Sequence, residues 1–357
     1  MDLALSEARQ ALGSTSPNPA VGAVLVKERV VVGQGFTQPP GSAHAEVMAL
    51  RGAGERARGA TLYVTLEPCC HFGRTPPCTG AIIEAGIAEV HMATLDPNPL
   101  VAGKGKAALE QAGIRTYLGE HKEEAEELNE AYIKHITSGL PLVTAKFALS
   151  LDGKLATRSR DSRWITGTEA RERVHQLRSQ VDAIMVGVGT VLSDDPQLTA
   201  RPGGARAERQ PKRIVVDSRG NTPPTARMLR EPGVTIIAAT ALAAPDWKAT
   251  MEQAGAEAID LPSRAGGVDL AALMKVLGQR GVISLLVEGG GTLLGSLFSE
   301  GLVDKVCAFI APTIIGGKEA VGIGGPGVER MTEAQRLTRV RVERLGDDIL
   351  VIGYLIR

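Results

Sequence analysis

Two short segments must meet in any fold this chain adopts. One carries His44 and Glu46 in a His-x-Glu pattern, and the other, residues 67–78, carries Glu67, Pro68, Cys69, Cys70, His71, Arg74 and Cys78. Imidazole and thiolate groups so close in sequence suit a zinc ion, which takes about four ligands at roughly 2.0–2.3 Å. A catalytic zinc takes three protein ligands and keeps one position for water. The expected ligands are His44, Cys69 and Cys78. Cys70 and His71 are rivals, but adjacent cysteines rarely bind one metal together, so Cys70 is placed beside the ligands and His71 toward a substrate. The other reading of these cysteines is a disulfide or simple burial. Both ligand segments look like helix starts: residues 44–53 have helical spacing, and residues 78–86 follow Pro76 and Pro77. The unpaired amides at a helix N-terminus stabilise a thiolate there.

The residue types point to hydrolysis. A His-x-Glu segment followed by a Pro-Cys segment with a second thiolate is the pattern of zinc deaminases. Zinc lowers the pKa of its water toward neutral. The expected role of Glu46 is to take the water proton and pass protons to a ring nitrogen and to leaving ammonia. Nucleoside deaminases usually show Cys-x-x-Cys, whereas here eight residues separate Cys69 from Cys78.

Length and composition narrow the rest. The 357 residues suffice for two domains, and 43% hydrophobic with 22% charged residues is the balance of a soluble globular protein. No apolar run reaches the roughly 18–20 residues of a membrane helix, and the acidic, amphipathic N-terminus lacks a signal pattern. Four cysteines in a metal-like arrangement suggest a reducing cytoplasm. The net charge of zero is unevenly divided: residues 1–140 hold 12 basic against 16 acidic residues, and residues 141–357 hold 28 against 24. A nucleic-acid reader shows a basic footprint, so the acidic first half counts against an RNA substrate.

In chain order, residues 2–12 read as a helix and residues 15–19 as a rigid turn in which Asn18 is either a turn residue or a reader of a ring edge. Residues 20–27 and 30–33 read as a hairpin, Gly33 to Gly35 as a turn, residues 60–66 and 88–94 as strands, and residues 104–112 and 120–137 as helices. A polar loop carrying Asp96 and Asn98 ends a strand, where α/β proteins tend to bind ligands. This alternation predicts an α/β/α sandwich with a mostly parallel sheet. A break near Gly139 and Pro141 divides the chain into domains 1–139 and 140–357. The second has strands at 142–147, 182–188, 212–217, 234–240, 282–287, 304–311 and 349–355. Its helices fall at 168–179, 247–254 and 268–279, and residues 201–210 read as a mobile loop. Gly187 to Thr190 weakly resembles the start of a dinucleotide fingerprint. Glu288 to Thr292 is a glycine loop between strand and helix, where backbone amides can approach a phosphate; a sterically demanding tight turn is the alternative.

The ordered set of motifs resembles the bifunctional deaminase/reductases of riboflavin biosynthesis over almost the whole chain. It comprises Thr15 to Pro19, His44 and Glu46, Glu67 to Cys78, and Asp96 to Pro99 in the first half. In the second it comprises Ser150 to Lys154, Trp164 to Thr166, Thr190 to Thr199, Val216 to Ser218, and Glu288 to Gly291. The resemblance implies a cytidine-deaminase-like first domain and a dihydrofolate-reductase-like second one. The first would remove the 2-amino group of a diaminopyrimidine ribotide phosphate as ammonia, with one zinc ion per chain. The second would reduce the ribosyl group to ribityl with NADPH. It further implies that Asn18, His71, Arg74 and Asn98 contact the first substrate, and that Ser162, Arg178, Leu198, Arg201 and Glu288 hold the second. Lys146 and Glu288 would serve the reduction. Ala148, Trp164, Thr190, Asp194, Ser218 and the run Gly290, Gly291, Thr292, Leu293, Leu294, Gly295 and Ser296 would line the NADPH site. The partners would be small molecules, with no nucleic acid or membrane, in a homo-oligomer of two or more chains. Lys146 would either orient the phosphate or act as an acid in sugar opening. Arg219, just past a strand end, is a candidate for the 2′-phosphate of NADPH. Two positions depart from the family pattern: Thr37, where a histidine is usual, and Gly80, where an acidic residue is usual. The first predicts a weakened substrate contact, the second a lost helix cap.

Overall fold

The computed structural model describes residues 1–73, 75–159, 161, 164–317 and 322–356. The chain divides into two compact units, Met1–Gly139 and Leu140–Arg357.

The first unit begins with helix α1 (Asp2–Ala11) and the antiparallel hairpin β1 (Gly22–Lys27) and β2 (Val30–Phe36). Helix α2 (Ala45–Ala53), strand β3 (Thr61–Val64), helix α3 (Cys78–Glu84) and strand β4 (Glu89–Met92) follow. Helix α4 (Lys104–Gln111), strand β5 (Arg115–Leu118), and helices α5 (Lys122–Leu128) and α6 (Glu130–Ser138) complete it. The sheet order is β2-β1-β3-β4-β5, with β3, β4 and β5 parallel. Leu62, Val64, Val90 and Met92, alternating along β3 and β4, are wholly buried, as one covered face of a pleated sheet requires. Gly33 and Gly35 lie inside β2 rather than in the expected turn. They are glycines because α2 presses on the strand: a Cβ at Gly33 would sit 2.2 Å from the Ala49 carbonyl oxygen.

The single helix expected over 120–137 is two helices broken at Asn129. The Asn129 side chain accepts from the Ala20 N–H (2.8 Å) and donates to the Ala20 carbonyl (3.0 Å). The residue is buried, and a buried amide must satisfy its hydrogen bonds. That long-range bond overrides helical continuity and anchors the chain just after Asn18 and Pro19.

The second unit contains β6 (Leu142–Ser150), α7 (Thr168–Gln180), β7 (Ala183–Gly187), α8 (Val188–Asp194), β8 (Lys212–Val216) and β9 (Thr235–Ala239). Then come α9 (Pro245–Gln253), β10 (Ala256–Asp260), a small hairpin of β11 (Ser263–Arg264) and β12 (Gly267–Val268), and α10 (Leu270–Gln279). Strand β13 (Ser284–Val287), α11 (Gly291–Ser299), β14 (Lys305–Ala311), β15 (Leu337–Leu345) and β16 (Asp348–Leu355) end it. The main sheet runs β10-β9-β8-β7-β13-β6-β14-β16-β15. It is parallel from β10 to β14 and antiparallel beyond. One face packs Val143, Ala145, Met185, Leu285 and Val287 against Leu273, Leu277, Leu294 and Leu297. The opposite face packs Ile184, Val186, Val215 and Ile237 with Met251. Strands covered on both faces read as continuous apolar runs, which is why they are legible in the sequence.

In the two large sheets the strands that reading passed over, β5, β10 and β15, are edge strands. They expose much of their length, so no run or alternation of apolar residues marks them. Residues 201–210 are fastened rather than loose. Gln210 bonds both backbone groups of Ala200, and Gly203 donates its N–H to Glu172 at 2.7 Å. Among the described residues, no helix is long and apolar enough to cross a membrane.

Candidate functional site

In the first unit His44 is the extended residue that starts α2, and Glu46 lies in that helix's first turn. Cys69 lies in the loop after β3, and Cys78 is the first residue of α3. The candidate ligand atoms of His44, Cys69 and Cys78 lie within 4.8 Å of one another. Nδ1 of His44 is 3.6 Å from the Cys69 sulfur and 3.3 Å from the Cys78 sulfur. A tetrahedral zinc with one imidazole and two thiolates places nitrogen and sulfur roughly 3.6 Å apart, so these residues fit that ion. His44 Nε2 lies 3.4 Å from the Thr75 hydroxyl; with Nδ1 on a metal, Nε2 carries the hydrogen and donates to Thr75, the kind of partner that fixes a ligand's ring. Among the described residues neither Cys70 nor His71 joins the cluster. Cys70 instead points at the Leu100 carbonyl, 3.9 Å away.

The protons are arranged for this use. The Cys78 hydrogen bond, then those from His44 and the Cys78 N–H, hold the Cys69 thiol down to about 4. The same bond and burial push Cys78 up, so the two sulfurs share a proton that a cation would displace. Burial first, and then the Cys69 charge, raise Glu46 to about 7. A carboxyl group at that value suits proton transfer near neutral pH.

Of the other residues expected in this unit, His71 is half-buried, and its Nδ1 has no hydrogen-bond partner among the described residues. Asn98 sits on the loop whose Leu100 carbonyl faces Cys70, and its N–H donates to Asp96 at 2.9 Å. Asn18 is a turn residue that donates its N–H to the Thr15 carbonyl. Arg74 lies outside the described residues. Thr37 is buried, with its hydroxyl on the Val21 carbonyl. Gly80 is the third residue of α3 rather than its cap, and a Cβ there meets open space.

In the second unit Lys146 on β6 and Glu288 after β13 come from adjacent parallel strands. Lys146 Nζ is 3.7 Å from Glu288. Arg178 from α7 grips the same carboxylate with two bonds, Nε at 2.6 Å and Nη2 at 2.8 Å, and its Nη1 donates to the Thr199 carbonyl. Burial opposes the Glu288 charge more than any other single effect, yet Arg178 and Lys146 together hold it down to about 2. Burial lowers Lys146, against the pull of Glu288. His175, one turn before Arg178, accepts the Arg201 N–H on Nδ1 at 3.3 Å, so its neutral form carries the hydrogen on Nε2. The Thr199 hydroxyl is buried without a partner among the described residues. Neither His175 nor Thr199 was assigned a role from the sequence; the spacing of His175 to Arg178 was the available signal.

The residues expected to face NADPH divide into two groups. Thr190 and Gly290 adjoin, the Thr190 hydroxyl lying 3.6 Å from where a Gly290 Cβ would stand. Thr292 is exposed at the start of α11, and Ser296 bonds back to its carbonyl. Trp164 is exposed, with the Arg171 guanidinium 4.8 Å from its ring. Ala148 is half-buried on β6, and Asp194 closes α8. The Ser218 hydroxyl accepts the Val268 N–H, and Arg219 beside it is exposed. In contrast, Leu293 and Leu294, and Leu198 among the residues expected to hold the second substrate, bury their side chains in the cores, so they can offer a ligand only backbone groups. Gly291 and Gly295 have a packing reason of their own: residues 322–325 lie against them, and a Cβ would come within 2.1 and 2.2 Å of the Gly322 and Gly324 carbonyl oxygens. Ser162 lies outside the described residues.

Known proteins share both halves. Residues 1–94 match the cytidine and deoxycytidylate deaminase zinc-binding region, and residues 141–351 match the RibD C-terminal domain. The riboflavin biosynthesis protein RibD of Aquifex aeolicus is 46% identical over 98% of this chain and 96% of its own length. The chain belongs to the RibD family. RibD of Acinetobacter baumannii has the same fold, with a TM-score of 0.89 at 37% identity over 100% of this chain and 98% of that one. A Thermotoga maritima structure, described as a diaminohydroxyphosphoribosylaminopyrimidine deaminase/5-amino-6-(5-phosphoribosylamino)uracil reductase, superposes with a TM-score of 0.87 at 34% identity, covering 100% of this chain and 97% of that one. As a RibD protein the chain is a bifunctional deaminase and reductase of riboflavin biosynthesis, with a zinc-binding deaminase domain and a dihydrofolate-reductase-like domain.

Proposed function

We propose that residues 1–139 deaminate 2,5-diamino-6-ribosylamino-4(3H)-pyrimidinone 5′-phosphate and that residues 140–357 then reduce its ribosyl group to ribityl with NADPH. The observation that carries this reading is the presence, in two units of one chain, of a His-Cys-Cys cluster beside a buried carboxyl group and of a Lys-Glu-Arg cluster drawn from β6, the end of β13 and α7.

His44, Cys69 and Cys78 would hold a zinc ion, whose chemistry is to acidify water near neutral pH. Glu46 carries the first proton of the attacking water to the ring nitrogen, then takes the second from the hydroxyl so formed on the ring carbon and gives it to the departing ammonia. His71, whose Nδ1 lacks a partner among the described residues, and Asn98 hold the pyrimidine ribotide, with Asn18 and Arg74 as further contacts. In the reduction, bound NADPH would be the source of hydride for the sugar's anomeric carbon. Both Glu288 oxygens are committed to Arg178, which leaves that carboxylate to hold Lys146 in place. Lys146, whose pKa burial lowers, donates a proton to the sugar oxygen as the ring opens. Arg178, Arg201, Ser162 and the Leu198 backbone grip the substrate. The Thr190–Gly290 junction, Trp164, Ser218 and the start of α11 would hold NADPH, with Arg219 available to its 2′-phosphate.

We assign the protein to the cytoplasm as a homo-oligomer. Four cysteines outside any disulfide suit a reducing compartment, and edge strand β15 exposes Val340 and Val342 to a partner.

The test follows ammonia release and NADPH absorbance together on the ribotide, before and after zinc removal. Zinc removal should abolish ammonia release, while NADPH oxidation on supplied deaminated intermediate survives. Ammonia release without NADPH oxidation would overturn the reductase assignment, and silence of both signals in the zinc-loaded protein would overturn the whole reading.

A further inference from the structure

Glu67 lies two residues before the ligand Cys69, and its side chain is buried. It does not reach the metal cluster. Its carboxylate accepts three backbone N–H groups from a segment distant in sequence: Asp96 (3.2 Å) and Gly103 (2.9 Å) on Oε2, and Lys106 (2.9 Å) on Oε1. The Glu67 N–H itself donates to the Thr94 carbonyl. Gly103 precedes α4 and has no side chain with which to cap it. Glu67 therefore takes the helix's third amide from outside, and a carboxylate there also meets the positive end of the helix dipole. The approach is tight: a Cβ on Gly105 would stand 2.1 Å from the Pro68 carbonyl oxygen and 3.1 Å from Glu67 Oε1.

The held segment carries Asn98. Asp96, whose N–H is given to Glu67, accepts the Asn98 N–H (2.9 Å) and the Tyr132 hydroxyl (2.9 Å) on Oδ1. The Asn98 side chain accepts from Leu100 N–H, and the Leu100 carbonyl faces Cys70. A chain of hydrogen bonds thus runs from the residue preceding Pro68 and Cys69, through Asp96, to Asn98.

We propose that Glu67 is a positioning residue for the deamination: its buried carboxylate clamps the 96–106 loop to the metal-ligand segment, which sets Asn98 at a fixed distance from the zinc centre. The geometry favours an effect on substrate placement over one on the ligands, because all three accepted bonds come from the loop and none from residues 44–46 or 78. The proposal rests on the deaminase reading above.

The test uses the full-length chain with Glu67→Gln, which keeps the shape but converts one acceptor oxygen into a donor. Losing a buried bond to a charged group predicts a KM for the ribotide raised about tenfold, with kcat within about threefold. Zinc content and reductase turnover on deaminated intermediate should stay at wild-type values. If the effect runs through Asn98, then in an Asn98→Ala background Glu67→Gln should change KM by less than about twofold. An unchanged KM with a lower melting temperature would reduce Glu67 to a helix cap and overturn the proposal, as would full additivity with Asn98→Ala. Should Glu67→Gln not fold, Tyr132→Phe decides: it removes one bond to Asp96 and should raise KM about threefold, and an unmoved KM overturns the proposal. Hydrogen exchange at the Asp96, Gly103 and Lys106 amides keeps the two readings apart. A wild-type chain that releases no ammonia sinks the deaminase reading, whereas unchanged exchange in Glu67→Gln sinks the clamp.

Discussion

Arg178 and Glu288 meet fork to fork, with guanidinium nitrogens 2.6 and 2.8 Å from the two carboxylate oxygens. Their side chains are 16% and 8% exposed, so each charge depends on the other. Removing one partner of a buried pair costs about 3–5 kcal/mol, because the other charge is stranded. Arg178→Ala should therefore destabilise the second unit by about 3 kcal/mol and abolish NADPH oxidation. Ammonia release should persist. Arg178→Lys should not restore the reduction, since an ammonium cannot reproduce the two-bonded grip. Denaturant midpoints with the paired assay check both statements.

The same pair sets an acid limit. Glu288 is held down to about 2 and Asp152 likewise, the latter by Ser150 and the Ile315 and Gly316 amides. Carboxyl groups with lowered folded-state values stabilise the fold above their unfolded values near 4 and lose that contribution as pH falls through the folded ones. The second unit should thus be stable above about pH 4.5 and lose stability steadily toward pH 2. Both tryptophans, Trp164 and Trp247, lie in this unit, so tryptophan fluorescence during urea unfolding at stepped pH reads it alone. A midpoint unchanged between pH 5 and pH 3 would contradict the assignment.

Glu46→Gln should keep zinc on His44, Cys69 and Cys78 yet lower ammonia release by about 10²–10⁴-fold, the usual contribution of a positioned proton shuttle. Reduction of supplied intermediate should be untouched. Unchanged ammonia turnover, with zinc measured by atomic absorption, would remove Glu46 from that role.

Gly295 and Gly80 are both helical glycines with opposite surroundings. A Cβ at Gly295 would stand 2.2 Å from the Gly324 carbonyl oxygen, so Gly295→Ala should displace residues 322–325, cost about 1–3 kcal/mol, and weaken NADPH binding measured by fluorescence. At Gly80 a Cβ meets open space. Gly80→Glu should stabilise the first unit by about 1 kcal/mol, through helix propensity and the charge at the N-terminal turn of α3. A loss of stability there would show that the glycine is required.

Arg219 is exposed immediately after Ser218. If it holds the 2′-phosphate, Arg219→Ala should weaken NADPH binding about tenfold, as loss of a charge-assisted bond implies, and leave NADH binding unchanged. Equal titrations for wild type and variant with NADPH would exclude it.

Much of the chemistry was written locally in the chain. His44, Glu46, Cys69 and Cys78 belong to short segments whose residue types already specify a metal and a proton shuttle, and the interior strands announce themselves because covered faces demand unbroken apolar runs. Other features depended on contacts distant in sequence. Asn129 breaks a helix that its neighbours favour because Ala20, far away in the chain, needs its amide. Edge strands such as β15 take their form from one hydrogen-bonded neighbour, and their exposed residues leave no periodic mark. Leu198, Leu293 and Leu294 were expected to line ligand sites, yet their side chains fill the core. Glu67 looks like part of a cysteine motif until the fold brings three amides of a later loop onto its oxygens. Residue types set what chemistry is possible; hydrogen bonds and burial between remote segments decide which atoms face the substrate, because those partners meet only after the chain has folded.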